Sequence, residues 1–329
     1  MRLLTTGAAG FIGSHLVRSA LGPGLPGFDD LSEVVVLDSL TYAGNRANLE
    51  PVADDPRLRF VEGSILDVDL VDSLVAGCDA IVHLAAETHV DRSIVHARDF
   101  VATNVLGTQT LLDAALRHRT GRFLHVSTDE VYGSIDVGSC AETHRLDPNS
   151  PYAASKAASD LLALSYARTH GLDVVVTRGS NTYGPYQLPE KLVPLAVTTL
   201  LEDGVVPLYG DGLQVRDWLH VDDHCRGLGI ALSRGSSGEI YNLGGGAELT
   251  NQRLLSLLVD LAGADASRVV QVEDRPGHDR RYSLDTARIR ALGWSPLTPL
   301  ETGLTEVVRW YGENRTWWEP WKVRQRNAR

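Results

Sequence analysis

Cysteine is scarce in this chain: Cys78, Cys140 and Cys225 are the only three among 329 residues. Their wide separation fits neither a disulfide framework nor a metal-binding spacing, so they read as small buried hydrophobes in a reducing compartment. Positive charge is also in deficit. With 31 Lys and Arg against 42 Asp and Glu, the net charge is −11, and nucleic acid is excluded as an expected partner. No apolar stretch is long enough to cross a membrane. No basic, apolar leader precedes Arg2-Leu3-Leu4-Thr5-Thr6, so a cytoplasmic location without a membrane partner is expected. Internal repeats and low-complexity linkers are missing as well.

What is present is an alternation of buried strands and helices. Apolar runs at 3–6, 34–37, 58–61, 80–84, 122–126 and 174–177 read as strands, with helical patterns between them, the longest at about 91–118 and 151–170. Strands that alternate with helices imply a parallel sheet covered on both faces. The expected fold is therefore α/β: a Rossmann-like, doubly wound parallel sheet over residues 1–180. A smaller, interleaved C-terminal α/β lobe is expected over 181–329, where turn signals such as Gly210-Asp211-Gly212 and Gly244-Gly245-Gly246 punctuate short elements. The basic tail after Trp321 is expected to be disordered. Trp310, Trp317, Trp318 and Trp321 read as packing residues.

The first strand runs into Gly7-Ala8-Ala9-Gly10-Phe11-Ile12-Gly13 and then a helix. Glycines there permit a tight turn and let backbone N–H groups approach a pyrophosphate at the helix N-terminus. The spacing is G-x-x-G-x-x-G rather than G-x-G-x-x-G. The second strand ends in Asp38, placed to hold ribose hydroxyls and to repel a 2′-phosphate. Ser39-Leu40-Thr41 supplies no arginine to reverse that preference, so NAD is the expected cofactor.

Two chemical sets follow. Ser150 can cap a helix that starts at Pro151, which puts Tyr152 and Lys156 on one face. A phenol with a pKa of about 10 is a poor base at neutrality, and a nearby ammonium lowers that pKa. Thr128-Asp129-Glu130 comes at the carboxyl end of the fifth strand, where such sheets bind ligands. A plain dehydrogenase needs only the Tyr and Lys; an enzyme that oxidises, eliminates water and then reduces needs the carboxylate pair too. His83 and His89 are read as packed or hydrogen-bonded rather than as metal ligands.

At this point the chain resembles a known family. The carriers are the segments 87–93 (Glu-Thr-His-Val-Asp-Arg-Ser), 127–133 (Ser-Thr-Asp-Glu-Val-Tyr-Gly) and 152–156 (Tyr-Ala-Ala-Ser-Lys). Further carriers are 180–187 (Ser-Asn-Thr-Tyr-Gly-Pro-Tyr-Gln), 216–223 (Arg-Asp-Trp-Leu-His-Val-Asp-Asp) and 274–279 (Asp-Arg-Pro-Gly-His-Asp). Over nearly all of residues 1–320 it resembles the extended short-chain dehydrogenase/reductases, and within them the dTDP-glucose 4,6-dehydratases. Three positions depart from the pattern: Ser64 stands where Asp is usual beside adenine, Thr182 replaces the second Asn of a pair, and Thr88 replaces Ser.

The resemblance implies an NAD-dependent conversion of a nucleotide-sugar, dTDP-glucose, to its 4-keto-6-deoxy form. Tyr152 would take the C4 hydroxyl proton with Thr128 bonded to that oxygen, Glu130 would take the C5 proton, and Asp129 would protonate the leaving C6 hydroxyl. Lys156 would support Tyr152. The cofactor would lie along Gly7, Gly10, Phe11, Ile12, Gly13, Asp38, Ser39, Leu40, Thr41, Ser64 and Ile65, then Leu84, Ala85, Ala86, Thr103 and Thr182, ending at Tyr152 and Lys156. Substrate positions implied are Thr88, Asn181, Lys191, Leu192, Pro207, Tyr209, Arg216, Asn251, Arg275 and His278, with no metal. Relatives pair their two long helices, which implies a homodimer through 91–118 and 151–170. The rival readings are a 4-epimerase, a UDP-glucuronate decarboxylase and a dehydratase of UDP-glucose or GDP-mannose. A non-catalytic NAD-binding regulator is a fourth, and it would predict erosion of Tyr152 or Lys156, both of which are intact.

Overall fold

β1 (Arg2–Thr6) and β2 (Glu33–Asp38) are buried at every position after their first residue, as strands covered on both faces must be. They belong to a computed structural model that describes residues 1–274 and 277–327. β3 (Leu58–Glu62), β4 (Ala80–His83), β5 (Arg122–Thr128) and β6 (Val174–Gly179) complete the sheet with a late strand, Ile240–Leu243. The spatial order is Ile240–Leu243, β6, β5, β4, β1, β2, β3, and every pairing is parallel. The chain runs outward from β1 through β2 to β3, then returns to the other side of β1 as β4. That reversal opens a crevice at the carboxyl ends of β1 and β4.

Apolar cores fill both faces of this sheet. One packs α1 (Phe11–Leu21) and the helix Val221–Arg234 against it; the other packs α2 (Val68–Val75) and the helices Thr108–His118 and Pro151–His170. The smaller lobe has its own core around Trp218, Leu254, Leu258, Val307 and Trp318. Its strands form a three-stranded sheet of Glu248–Thr250, Val215–His220 and Asn181–Tyr183, and a pair of Val269–Val272 with Val206–Tyr209. The lobes interleave. Val221–Arg234 and Ile240–Leu243 lie beyond residue 180 yet belong to the large sheet and its cover.

Two expectations are corrected. The run at 91–118 is not one helix: Val90–Val95 ends at His96, and Ala97–Phe100 leads into a π-helical stretch, Val101–Gly107, before Thr108–His118. The wider turn carries Asn104 inward, where its Oδ1 accepts the Glu87 N–H at 2.9 Å and its amide donates to Ser155 Oγ at 2.8 Å. Stretches of this kind inside α-helices are frequent at functional sites. The tail is not disordered through residue 327 either: Arg315–Asn327 is helical, held by buried Trp318, whose indole donates to Tyr311 O, and by Lys322, which reaches Glu202 at 2.6 Å. All three cysteines are buried and free.

Candidate active site

A cleft of about 520 Å³ opens above the carboxyl ends of the strands. It gathers most of the sequence-predicted positions: Gly7, Gly10, Phe11, Ile12 and Gly13, then Asp38, Ser39, Thr41, Ser64, Ile65, Leu84, Ala85, Ala86 and Thr103. At its other end lie Thr88, Thr128, Asp129, Glu130, Tyr152, Lys156, Asn181, Thr182 and Lys191.

The glycine turn is shaped for close approach. Gly7 has φ +70°, and a Cβ there would meet the Ala85 backbone at 2.6 Å. A Cβ on Gly13 would meet the Gly7 carbonyl and Ala8 at 2.7 Å, so that glycine sets the fit between helix and turn. Gly10 caps α1 without any side-chain bond, leaving the first N–H groups of the helix open to an anion. Asp38 accepts the Ala9 N–H at 2.9 Å through Oδ2 and the Leu40 N–H at 2.9 Å through Oδ1. Burial nevertheless raises its pKa, with those two bonds opposing. An open helix N-terminus beside a carboxylate at the end of β2 fits a dinucleotide.

The catalytic end is built by β5, the short 3-10 turn Asp129–Tyr132 and the helix Pro151–His170. Ser150 caps that helix by accepting the Ala153 N–H at 3.1 Å, an interaction that typically contributes about 1 kcal/mol. Tyr152 therefore enters the cleft from the first turn. Thr128 Oγ1 accepts the Glu130 N–H at 3.3 Å and donates to Asp129 Oδ1 at 3.3 Å. Asp129 is buried, and its pKa is raised well above the usual carboxylate range by desolvation and by the charges of Glu130 and Asp217, against the pull of Arg216. That direction favours the protonated carboxyl.

Tyr152 departs from expectation. Burial and the Glu130 charge push its phenol up, with the Thr128 hydroxyl as the main opposing influence. The Lys156 ammonium donates at 2.8 Å to the Val126 carbonyl, and burial lowers its own pKa to about 8 with Asp160 opposing. Desolvation of the phenol and the neighbouring carboxylate charges outweigh the Thr128 bond.

Several predicted positions lie away from the cleft lining. Leu40 contributes its backbone alone, at φ +49° beside Asp38. Leu192 starts a helix that packs on the smaller lobe's core. Pro207 and Tyr209 sit in the strand Val206–Tyr209, and Asn251 starts the helix Asn251–Ala262. His278 pairs with Asp274 at 2.7 Å, and Arg216 donates to the carbonyls of Val215 and Asp279 while stacking on Tyr282. Gln214 joins this group, bonding Asp274 through its side chain and the Asn251 N–H through its carbonyl. The result is a second cluster in the lobe, linked to the cleft through the effect of Arg216 on Asp129. Arg275 lies outside the described residues.

The cleft also holds residues that sequence reasoning missed: Glu87, Gln187, Glu190 and His224. Glu87 and Gln187 lie inside quoted motifs and Glu190 adjoins Lys191, so proximity was an available signal. His224 directly follows the segment 216–223, and it reaches the cleft from the covering helix Val221–Arg234. His83, buried between Thr6 and Thr108, bonds both hydroxyls through its ring nitrogens.

Comparison with known proteins fits this geometry. The family model described as GDP-mannose 4,6 dehydratase matches residues 4–307. A dTDP-glucose 4,6-dehydratase of an Actinoplanes species is 58% identical over 97% of this chain and 100% of its own. One from Streptomyces antibioticus is 59% identical, over 98% of this chain and 96% of its own. The solved structure of DesIV, a dTDP-glucose 4,6-dehydratase from Streptomyces venezuelae with NAD bound, superposes with a TM-score of 0.96 at 61% identity, covering 98% of this chain and all of that one. The chain belongs to this nucleotide-sugar dehydratase family of the extended short-chain dehydrogenase/reductases, and within it to the dTDP-glucose 4,6-dehydratases.

Proposed function

We propose that this protein converts dTDP-glucose to dTDP-4-keto-6-deoxyglucose and water. The observation that carries it is Asp129, a buried carboxylic acid raised in pKa, next to Glu130 and across from Tyr152. Two neighbouring carboxyls, one of them buried and raised in pKa by the charge of the other, offer an acid and a base in one site. Elimination needs both; epimerisation needs neither. Bound NAD supplies the hydride acceptor for C4 oxidation and returns that hydride to C6.

The chain's own groups do the rest. With NAD bound, the positive nicotinamide charge together with Lys156 would favour the Tyr152 phenolate, which takes the C4 hydroxyl proton while Thr128 holds that oxygen. The C4 ketone makes the C5 proton acidic, and Glu130 removes it. Asp129 gives its proton to the departing C6 hydroxyl, which leaves as water, and a proton returns to C5 as the hydride reaches C6. Lys191, whose ammonium donates to Thr88 O at 3.1 Å, together with Thr88 and Asn181, faces the sugar. The lobe cluster of Tyr209, Arg216, Asn251 and His278 holds the nucleotide diphosphate, with Arg216 suited to phosphate oxygens by its fork geometry. Residues 1–180 thus carry cofactor and chemistry, and 181–329 mainly carry the nucleotide-sugar.

Two further parts of the reading concern the setting. Ile94, Val95, Val101, Leu106 and Leu161 are exposed apolar residues along the segment 90–118 and the helix Pro151–His170, which supports a homodimer through these elements. Among the described residues no helix is long and apolar enough to cross a membrane. Mass-resolved analysis of dTDP-glucose incubated with the purified protein, without added NAD, tests the function. The expected result is loss of one water; an unchanged mass even after NAD is supplied would overturn it. Light scattering at two concentrations tests the dimer, and a monomer at both would sink that part alone.

A further inference from the structure

Two buried acceptors at the reacting end of the cleft have no use in the chemistry above. Thr182 holds both of them. Its carbonyl accepts from Gln187 Nε2 at 2.8 Å, and only the NH2 end of an amide can donate to a carbonyl, so Oε1 is the end left over. The Thr182 hydroxyl donates to Ser180 O at 3.1 Å and lies 2.7 Å from His224 Nδ1. A threonine has one hydroxyl proton. With that proton on the Ser180 carbonyl, the second contact requires Nδ1–H to donate to the threonine oxygen. His224 then carries its proton on Nδ1 and presents a bare lone pair at Nε2. Burial keeps the ring neutral by lowering its pKa to about 4.

His224 Nε2 and Gln187 Oε1 are both buried with no partner among the described residues, and both residues line the cleft. Buried acceptors without donors are costly, so the pair calls for a ligand that brings N–H or O–H groups. Its position narrows the choice. His224 packs under Gly179, where an added Cβ would meet the ring at 2.6 Å, and Gly179 pairs with Thr128 across β6 and β5. Asp38 ends β2, which is separated from β6 by β5, β4 and β1. The acceptors therefore stand with the catalytic triplet, far from the adenosine end.

Resting on the NAD reading above, we propose that His224 Nε2 and Gln187 Oε1 receive the two N–H bonds of the cofactor's nicotinamide carboxamide. They are positioning residues: they would set the rotation of the ring and hence the face it offers to the sugar. The carboxamide is the part of the dinucleotide's reacting end that brings two N–H groups on one atom. Hydroxyls of the sugar are the competing source of donors.

The test compares NAD with 3-acetylpyridine adenine dinucleotide, in which a methyl ketone replaces the carboxamide and no N–H remains. Holoenzyme is exchanged to equilibrium against an equimolar mixture, and the dinucleotides released on denaturation are quantified. Wild type is expected to retain NAD in preference by about tenfold, the factor that about 1.4 kcal/mol of binding free energy produces. His224→Leu and Gln187→Leu are each expected to move that ratio toward one. A wild-type ratio near one overturns the proposal, and this arm decides even if a variant fails to fold. Variants that keep the wild-type ratio also overturn it and assign the acceptors to sugar hydroxyls. Protein that binds neither dinucleotide would instead sink the cofactor reading, and this proposal with it.

Discussion

The two ends of the cleft are finished differently. At the adenosine end the acceptors beside the glycine turn are already engaged: both Asp38 oxygens accept backbone N–H groups, and the Ala9 carbonyl accepts from Asn45 and Asn48. At the reacting end Asp129 Oδ2, Asn181 Oδ1, Gln187 Oε1 and His224 Nε2 are buried with no partner among the described residues. A satisfied end holds its shape with or without a ligand. An unsatisfied end stores a demand that substrate and cofactor meet, which is where proteins sacrifice stability for function.

The largest effect expected from breaking this contrast is at Tyr152. Tyr152→Phe should lower dehydration by roughly 10²–10⁴-fold, the usual contribution of a positioned proton acceptor, measured as initial rate of product formation. Next comes the finished end. Gly7→Ala places a side chain at positive φ against the Ala85 backbone, and should cost about 1–3 kcal/mol in thermal unfolding together with bound NAD. Retention of full NAD content would show that the turn is less tightly specified than its geometry implies.

A smaller effect separates the two carboxylates by pH. The folded-state pKa of Asp129 is raised, so the folded protein binds the proton more tightly than the unfolded chain. Its stabilising contribution is fully present below the unfolded value of about 3.9 and is lost as pH rises through the folded value. Asp129→Asn mimics the protonated form and does not titrate. The Tm of the variant relative to wild type should therefore climb as pH rises from about 4 toward neutrality. A gap that stays flat with pH would mean that Asp129 is ionised in the folded protein.

Much of this was legible in the sequence where chemistry follows local spacing. The glycine turn, the end of β2 at Asp38, the Ser150 cap and the Tyr152/Lys156 face all depend on neighbours within one turn or loop. Thr128-Asp129-Glu130 was legible because a strand's carboxyl end is a predictable place. The rest depends on long-range packing. His224 reaches the cleft from a helix that the chain enters only after leaving the first lobe and returning to it. The π-helical stretch holds Asn104, which bonds both the Glu87 backbone and Ser155, a partner fifty-one residues away in sequence. The direction of the Tyr152 shift follows from its burial and its closeness to Glu130, which spacing alone does not reveal.

The central claim is that oxidation and elimination are served by different side chains in one cleft, and rapid mixing of dTDP-glucose with the Asp129→Asn/Glu130→Gln double variant tests it most directly. The account predicts that reduced-nicotinamide absorbance appears and persists while no water is lost from the sugar, because Tyr152 still oxidises C4 and the elimination pair is gone. Water lost at the wild-type rate, or no reduced nicotinamide from a variant that still holds NAD, would contradict it.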